Sequence, residues 1–444
     1  MIPALRQAFN REFTAAKYSA FREHLDRACG THITFRICET PCFFPRELLD
    51  RVVSTGRDLI HQLVGSPAYR AASQNCIPAG FAAPNESAHP LFIQADFGLV
   101  RGASGDLEPR LVEIQGFASL YAFQAALAGA YIEKYALASG LQFLIDFETV
   151  EDYRAELRRA IVGSHDPENV VLLEIEPQHQ KTLPDFLLTE KMLGVRPVCV
   201  TSLRREGKRL FYRRDGKLTP IDRVYNRVIA DELIRKRTAM PFQYADDLDL
   251  EWAGHPNWFF RISKFSLPFL QGPTVPHSWF LDQLFDSLGG ERQRSLPAAV
   301  IPSAARNPSS LSDASEHARS KVAPELPAKF EDWPARLDDY VLKPLYSFAG
   351  LGVIVGPTRD ELAAIPAARR HEFILQRRMR FEPVIDTPRG PTQAELRVMF
   401  IWLDELRAGP LIVRMGRGKM MGVDHNRDLE WVGASAALFP SAKS

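Results

Sequence analysis

In the segment Asp338 to Gly356, DDYVLKPLYSFAGLGVIVG, a lysine on an extended run stands just ahead of a glycine-rich loop. Alternation puts Val341 and Lys343 on one face of this strand and Tyr340 and Leu342 on the other, with Gly350 and Gly352 following within a turn. Glycine lets backbone N–H groups come close to phosphate oxygens, and the ammonium supplies the opposite charge. The chemistry expected is a grip on a nucleotide's phosphates, with ATP as the ligand. The other reading is an ordinary hairpin whose lysine lies in solvent.

A carboxylate pattern earlier in the chain complements the lysine. LFIQADFGLV and RLVEIQGF, joined by the turn-rich GASGDLEPR, predict a hairpin over Leu91 to Phe117. Gln94 and Asp96 share a face of its first strand, Glu113 and Gln115 share one of its second, and pairing brings Asp96 beside Glu113. Mg²⁺ keeps water and phosphate in most of its shell, so one or two carboxylates and an amide carbonyl suffice to hold it. A solvated polar face on an edge hairpin would carry the same residues.

Three further segments fit the same ligand. Lys264, among the aromatics of WFFRISKFSLPFL, must either reach solvent or pair with an anion such as phosphate. HEFILQRRMRFEP predicts an apolar strand suited to backbone contact with an adenine ring, and Glu395 on QAELRVMFIWL faces the same cleft unless that strand is simply core. IVRMGRGKMMGVDHN places Arg414, Arg417 and Lys419 among Gly416, Gly418 and Gly422, either as cations for a polyphosphate or as a solvated basic loop.

Other chemistries lack their residues. There is no GxxxxGK[ST] phosphate loop, and Gly350, Gly352 and Gly356 lead into a β-branched strand rather than the helix that a dinucleotide site needs. No serine sits in a GxSxG elbow. The five cysteines, Cys29, Cys38, Cys42, Cys76 and Cys199, include no CxxC pair, so neither a disulfide framework nor a zinc site is signalled and a reducing cytoplasm is expected. Lys plus Arg (55) nearly cancels Asp plus Glu (54), which leaves no global field for nucleic acid or an anionic membrane. No stretch approaches the ~18 apolar residues of a membrane span, and the N-terminus lacks the apolar core of a signal peptide.

The elements that must position these residues predict an α/β (α+β) fold. Of the 444 residues, 1–90 read as a mainly helical scaffold, and 91–300 as the carboxylate hairpin, a β-α-β substrate subdomain and the first lysine. Residues 301–329, polar and without periodicity, read as a linker or insertion, and 330–444 as the nucleotide-binding region. Within this frame Ser119 to Leu144 predicts one long helix, and NVVLLEIEP, a helix to about Leu193 and RPVCVTSL form a parallel β-α-β unit. KRLFYRRDGKLTPIDRVYNRV predicts a hairpin turning at Asp215-Gly216, and Thr358 with Glu361 predicts a capping box.

In this order the motifs resemble the circularly permuted ATP-grasp ligases, the group of glutathionylspermidine synthetase and, more distantly, eukaryotic glutathione synthetase. There the metal carboxylates precede the phosphate lysines, as ADF and EIQ here precede WFFRISKFSLP and Lys343-Pro344. The resemblance implies Asp96, Glu113 and Gln115 on Mg²⁺, and Lys264 and Lys343 on the phosphates. It further implies a lid that includes Ser347, Gly350 and Gly352, Gln376 on the adenine strand, and Arg414 steadying the transferring phosphoryl alongside Lys343. Two departures stand out: Ser347-Phe348-Ala349 replaces the Arg-Glu of the family's loop, and Gln94 stands where the family carries a catalytic arginine.

The expected activity is ADP-forming ligation of a small-molecule carboxylate and amine through an acyl phosphate, with a phosphotransferase or a degenerate nucleotide-binding module as alternatives. Arg227, in VYNR, either faces the acceptor site or is an exposed strand arginine.

Overall fold

The computed structural model describes residues 1–287, 337–346, 352–418, 421–422, 426 and 428–441. Among them the strands form four sheets. The expected linker 301–329 lies outside the described residues, as do Ser347, Gly350 and Lys419.

The largest sheet runs in the order β1 (Cys42–Phe43), β18 (Gly433–Pro440), β17 (Leu406–Gly416), β16 (Gln393–Trp402), β2 (Phe92–Arg101) and β3 (Leu107–Gln115), with β4 (Leu141–Gln142) on β18. Residues far apart in sequence thus become neighbours, since β16 pairs with β2 across some 300 positions. A second sheet is wholly parallel, β11 (Glu251–Ala253), β10 (Arg223–Asn226), β5 (Val170–Glu174) and β6 (Arg196–Cys199). A third is antiparallel, β12 (Ser278–Phe280), β15 (Phe373–Arg377), β13 (Tyr340–Pro344) and β14 (Ile354–Val355). A small meander, β7 (Arg204–Glu206), β8 (Arg209–Arg214) and β9 (Lys217–Ile221), turns at Asp215 and Gly216.

The N-terminal residues form α1 (Pro3–Glu12), α2 (Ala15–Cys29), α3 (Arg46–Val64) and α4 (Pro67–Gln74), and they also supply β1 to the large sheet. Leu48, Leu49, Val52, Val53, Leu59, Ile60 and Leu63 recur at helical spacing, so α3 buries one stripe against Phe97, Leu111, Leu396 and Val413 of that sheet. The opposite face is covered by α5 (Tyr121–Lys134), with Tyr121 and Leu127 packed on the same cluster as Phe92, Met399, Ile401 and Ile412.

α5 is shorter than its apolar spacing predicts. The chain takes left-handed conformations at Ala136 and Gly140 and turns into β4, so Phe143 and Leu144 join the core from outside a helix. The β-α-β unit is formed by β5, α7 (Leu183–Leu193) and β6, with α6 (Val150–Ile161) ahead of it, and Thr358 and Glu361 form a capping box. No helix among the described residues is long and apolar enough to cross a membrane.

One glycine sets the spacing between the large sheet and the segment carrying Lys264. Gly116, directly after β3, donates its N–H to the Ile262 carbonyl at 2.9 Å, and a Cβ there would overlap the Trp258 carbonyl. Backbone cannot yield as a side-chain tip can. Gly116→Ala is expected to cost about 1–3 kcal/mol in urea unfolding, whereas Gly129→Ala, in α5 with open space around it, should stabilise by up to about 1 kcal/mol. Equal effects at the two positions would refute the close approach.

Candidate functional site

The strand period of two places alternate residues of β2 on one face. Phe92, nearest α5, is apolar, whereas Gln94 and Asp96 beyond it are polar, as if the chemistry begins where helix cover ends. Register carries the same face across neighbouring strands. Asp96 stands opposite Glu113 on β3 and Arg397 on β16, Gln94 stands opposite Gln115, and Glu395 stands opposite Arg414 on β17.

These side chains engage one another. Arg397 grips Asp96 through two parallel hydrogen bonds, Nε to Oδ1 and Nη2 to Oδ2, each 2.6 Å, and its Nη1 donates to Gln94 Oε1 at 3.1 Å. Arg414 Nη2 bonds Asp96 Oδ2 and pairs with Glu395. Gln115 donates to Glu113, and Lys264 Nζ lies 3.8 Å from Glu113 Oε2.

A bulge lets the third sheet join this cluster. Asp96 pairs with Glu113 but Phe97 with Leu111, so Val112 is left over in the ladder. The Val112 carbonyl instead accepts from Lys343 Nζ at 3.3 Å. On β13, Lys343 and Val341 share a face with Gln376 of β15, while Leu342 and Leu375 on the other face pack with Trp279, Leu284 and Leu362. The lysine-bearing face is therefore turned to the large sheet, and Lys343 senses the charges of Glu113, Lys264, Glu395 and Asp96.

Burial sets the electrostatics. Lys343 is only 9% exposed, and burial pushes its ammonium down to about 8 despite the nearby carboxylates. Burial by itself would raise the Asp96 carboxyl, but the Arg397 and Arg414 guanidiniums outweigh it and hold the group below the usual carboxylate range. Glu395 goes the other way: burial raises it, Asp96 and Glu113 add to the rise, and Arg414 only partly offsets them.

The structure thus brings Asp96, Glu113, Gln115, Lys264, Lys343 and Arg414 into one cluster. Gln376 lies on the lysine-bearing face, fully buried, with its amide nitrogen making no hydrogen bond. Gly352 has φ +74° and packs against the Pro344 ring, one residue from Lys343. Glu395 is buried in the cluster, on the strand that also delivers Arg397. Sequence reasoning missed Arg397, although it follows Glu395 by two positions, which on a strand means the same face. Arg417 departs from the expected basic group. It lies three positions beyond Arg414, and its side chain bonds the Glu430 carbonyl and Thr387 instead.

Beside this cluster lies a second buried charge. Arg227, just past β10 at the C-terminal edge of the parallel sheet, is 2% exposed rather than solvated. It sits between the Phe117 and Phe186 rings, 5.1 and 5.2 Å from their centroids, and 3.5 Å from Asp185. Its Nε and Nη1 make no hydrogen bonds. Asp185 itself accepts from the backbone N–H groups of Leu120, Ala122 and Phe123 at the start of α5. A small cavity lined by Phe92, Gly116, Phe117, Asn226, Gly254 and Phe259 shares the Phe117 ring with Arg227, which does not itself line it.

No known protein family and no curated protein matches the chain. Among solved structures it is similar to a glutathione synthetase-like effector from Globodera pallida in its apo form. The match has 11% identity and a TM-score of 0.56, over 99% of each chain. At that identity the likeness concerns the fold alone, a mixed α/β arrangement shared with that glutathione synthetase-like protein.

Proposed function

We propose that the chain is an ATP-dependent carboxylate-amine ligase. One observation carries the reading: Lys343, from a small antiparallel sheet, and Asp96 and Glu113, from the large sheet, meet in a single buried cluster. A lysine whose ammonium is held down by burial carries an undercompensated charge near neutral pH and gains from an anion that compensates it, which phosphate oxygens supply. The unpartnered Gln376 amide on the same face offers a donor to the nucleotide base.

The chain's own groups divide the work. Lys343, Lys264 and Arg414 hold the polyphosphate and neutralise charge as the terminal phosphoryl leaves for the substrate carboxylate. The amine then attacks the acyl phosphate, forming the amide and releasing phosphate, with ADP as the other product. No protein nucleophile is needed, because in-line placement and exclusion of water supply the rate. The Arg227 Nε, which makes no hydrogen bond, suits a substrate carboxylate.

Mg²⁺ asks for hard oxygen donors, which Glu113 and Gln115 offer at the inner end of β3. Both oxygens of Asp96 already face guanidiniums, and among the described residues no group of three His, Cys, Asp or Glu side chains is placed to hold a metal ion by itself. When bound, the ion would supply charge neutralisation to the polyphosphate.

ADP release across a panel of small acids and amines tests the reading. A ligase forms ADP only when both partners are present. Release with a single hydroxyl acceptor would make the protein a phosphotransferase, and no release with any pair would reject catalysis.

A further inference from the structure

We infer that Cys38, Cys42 and Met415 form a binding site for a soft univalent cation, Cu(I), whose thiolate charge the buried Arg6 guanidinium balances. The site is independent of the ligase reading, because it lies on the opposite face of the large sheet. Met415 follows Arg414 on β17, so alternation turns it away from the polar cluster and into the core that α3 covers. Cys42 lies on β1, the edge strand, and Cys38 runs just ahead of it, its N–H donating to the Ala434 carbonyl at 2.8 Å. Both thiols converge on the Met415 sulfur, each 3.4 Å away.

Two thiolates and a thioether are soft ligands, the set that selects Cu(I). At metal–sulfur distances of about 2.3 Å a trigonal ion needs its sulfurs roughly 4 Å apart, so each thiol–thioether contact has to open by only about half an ångström. Zinc fits less well. It takes a fourth ligand, and the Ser435 hydroxyl, 3.8 Å from Cys42 Sγ, is a poor one.

Buried thiols by themselves are common in cores, and Arg6 sets this pair apart. It is 2% exposed and bonds through Nη1, to Thr40 Oγ1 at 2.5 Å and the Pro41 carbonyl at 3.2 Å, both between the two cysteines in sequence. Its Nε and Nη2 make no hydrogen bond among the described residues, and Cys42 and Cys38 weigh on its charge ahead of the Asp386 carboxylate. A buried cation without a counter-ion is costly. Two thiolates and Cu(I) carry one net negative charge, which the guanidinium neutralises. Binding releases two thiol protons to solvent and leaves the copper univalent. Entry takes a local opening at the N-terminus: Ile2 donates its N–H to the Phe43 carbonyl at 2.9 Å, so this segment lies along β1, and chain termini open at low cost.

The test uses the full chain, reduced and anaerobic, with Cu(I) titrated against the chelator bicinchoninate. The ion is added to the native protein and, separately, during refolding from urea. By one of these routes the wild type should take up one equivalent, melt at a higher temperature when loaded, and give an X-ray absorption shell of three sulfurs. Cys38→Ser and Cys42→Ser should lose that equivalent, and Met415→Leu should bind more weakly through two sulfurs. Arg6→Met should weaken binding by about 10–100-fold. Cys199→Ser, which removes the one cysteine that is not fully buried, should bind as wild type does.

No uptake by either route overturns the inference, as does wild-type affinity in the Cys38, Cys42, Met415 or Arg6 variant. Uptake that disappears in Cys199→Ser is adventitious and overturns it as well. Should a serine variant fail to fold, the shell of the loaded wild type decides. Three sulfurs support the site, and a nitrogen or oxygen ligand overturns it.

Discussion

Lys343→Met is expected to weaken Mg-ATP binding by about 30-fold, a loss on the order of 2 kcal/mol, while raising the melting temperature of the free protein. The two effects share one cause. Burial lowers the Lys343 ammonium to about 8 from an ordinary 10.5, so near neutral pH the folded protein carries a buried charge that the unfolded chain holds in water.

The sign of the pH dependence follows. Between about 8 and 10.5 the unfolded chain keeps the proton and the folded protein has released it, so this group makes stability rise with pH across that window. The total is at most roughly 3 kcal/mol. Phosphate oxygens restore the ammonium, so nucleotide binding takes up a proton above pH 8, and affinity should fall by up to about tenfold per pH unit there. Equilibrium binding of a non-hydrolysable ATP analogue against pH, with Lys343→Met as control, reads both effects. A variant that binds as tightly as wild type would contradict the role given to Lys343.

Asp96→Ala should be the most damaging substitution to the fold of the site. Asp96 is 1% exposed and holds two guanidiniums, from Arg397 and Arg414. Removing the carboxylate leaves Arg397 with Gln94 and, at 4.0 Å, Glu113, and leaves Arg414 paired with Glu395; taking away one partner of a buried ion pair costs about 3–5 kcal/mol. The guanidiniums hold the Asp96 carboxyl below its ordinary value of 3.8, so its contribution is fully present above that value and is lost as pH falls through the lower folded-state one. Urea unfolding of wild type and variant should therefore differ by the full amount at pH 7 and converge only in strong acid. A difference under about 1 kcal/mol at pH 7 would mean that Asp96 does not anchor the two arginines.

Local spacing in the sequence determined the pairs that a single strand or hairpin can set. Gln94 shares a face with Asp96, and Glu113 with Gln115, because strand side chains alternate whatever surrounds them, and Lys343 opposes Leu342 for the same reason. The β-α-β unit and the Thr358 capping box were legible on equal grounds, since each closes over a few residues. Only the tertiary structure decided that β16 lies beside β2, which converts Arg397 from an ordinary strand residue into the partner of a carboxylate 301 positions away. It also decided that Arg227 is buried between two rings, that Arg417 turns from Arg414 to the Thr387 turn, and that α5 stops at Lys134. Strand order, burial and helix ends depend on which apolar surfaces pack together, and apolar spacing reports only that a face is to be covered, not by what.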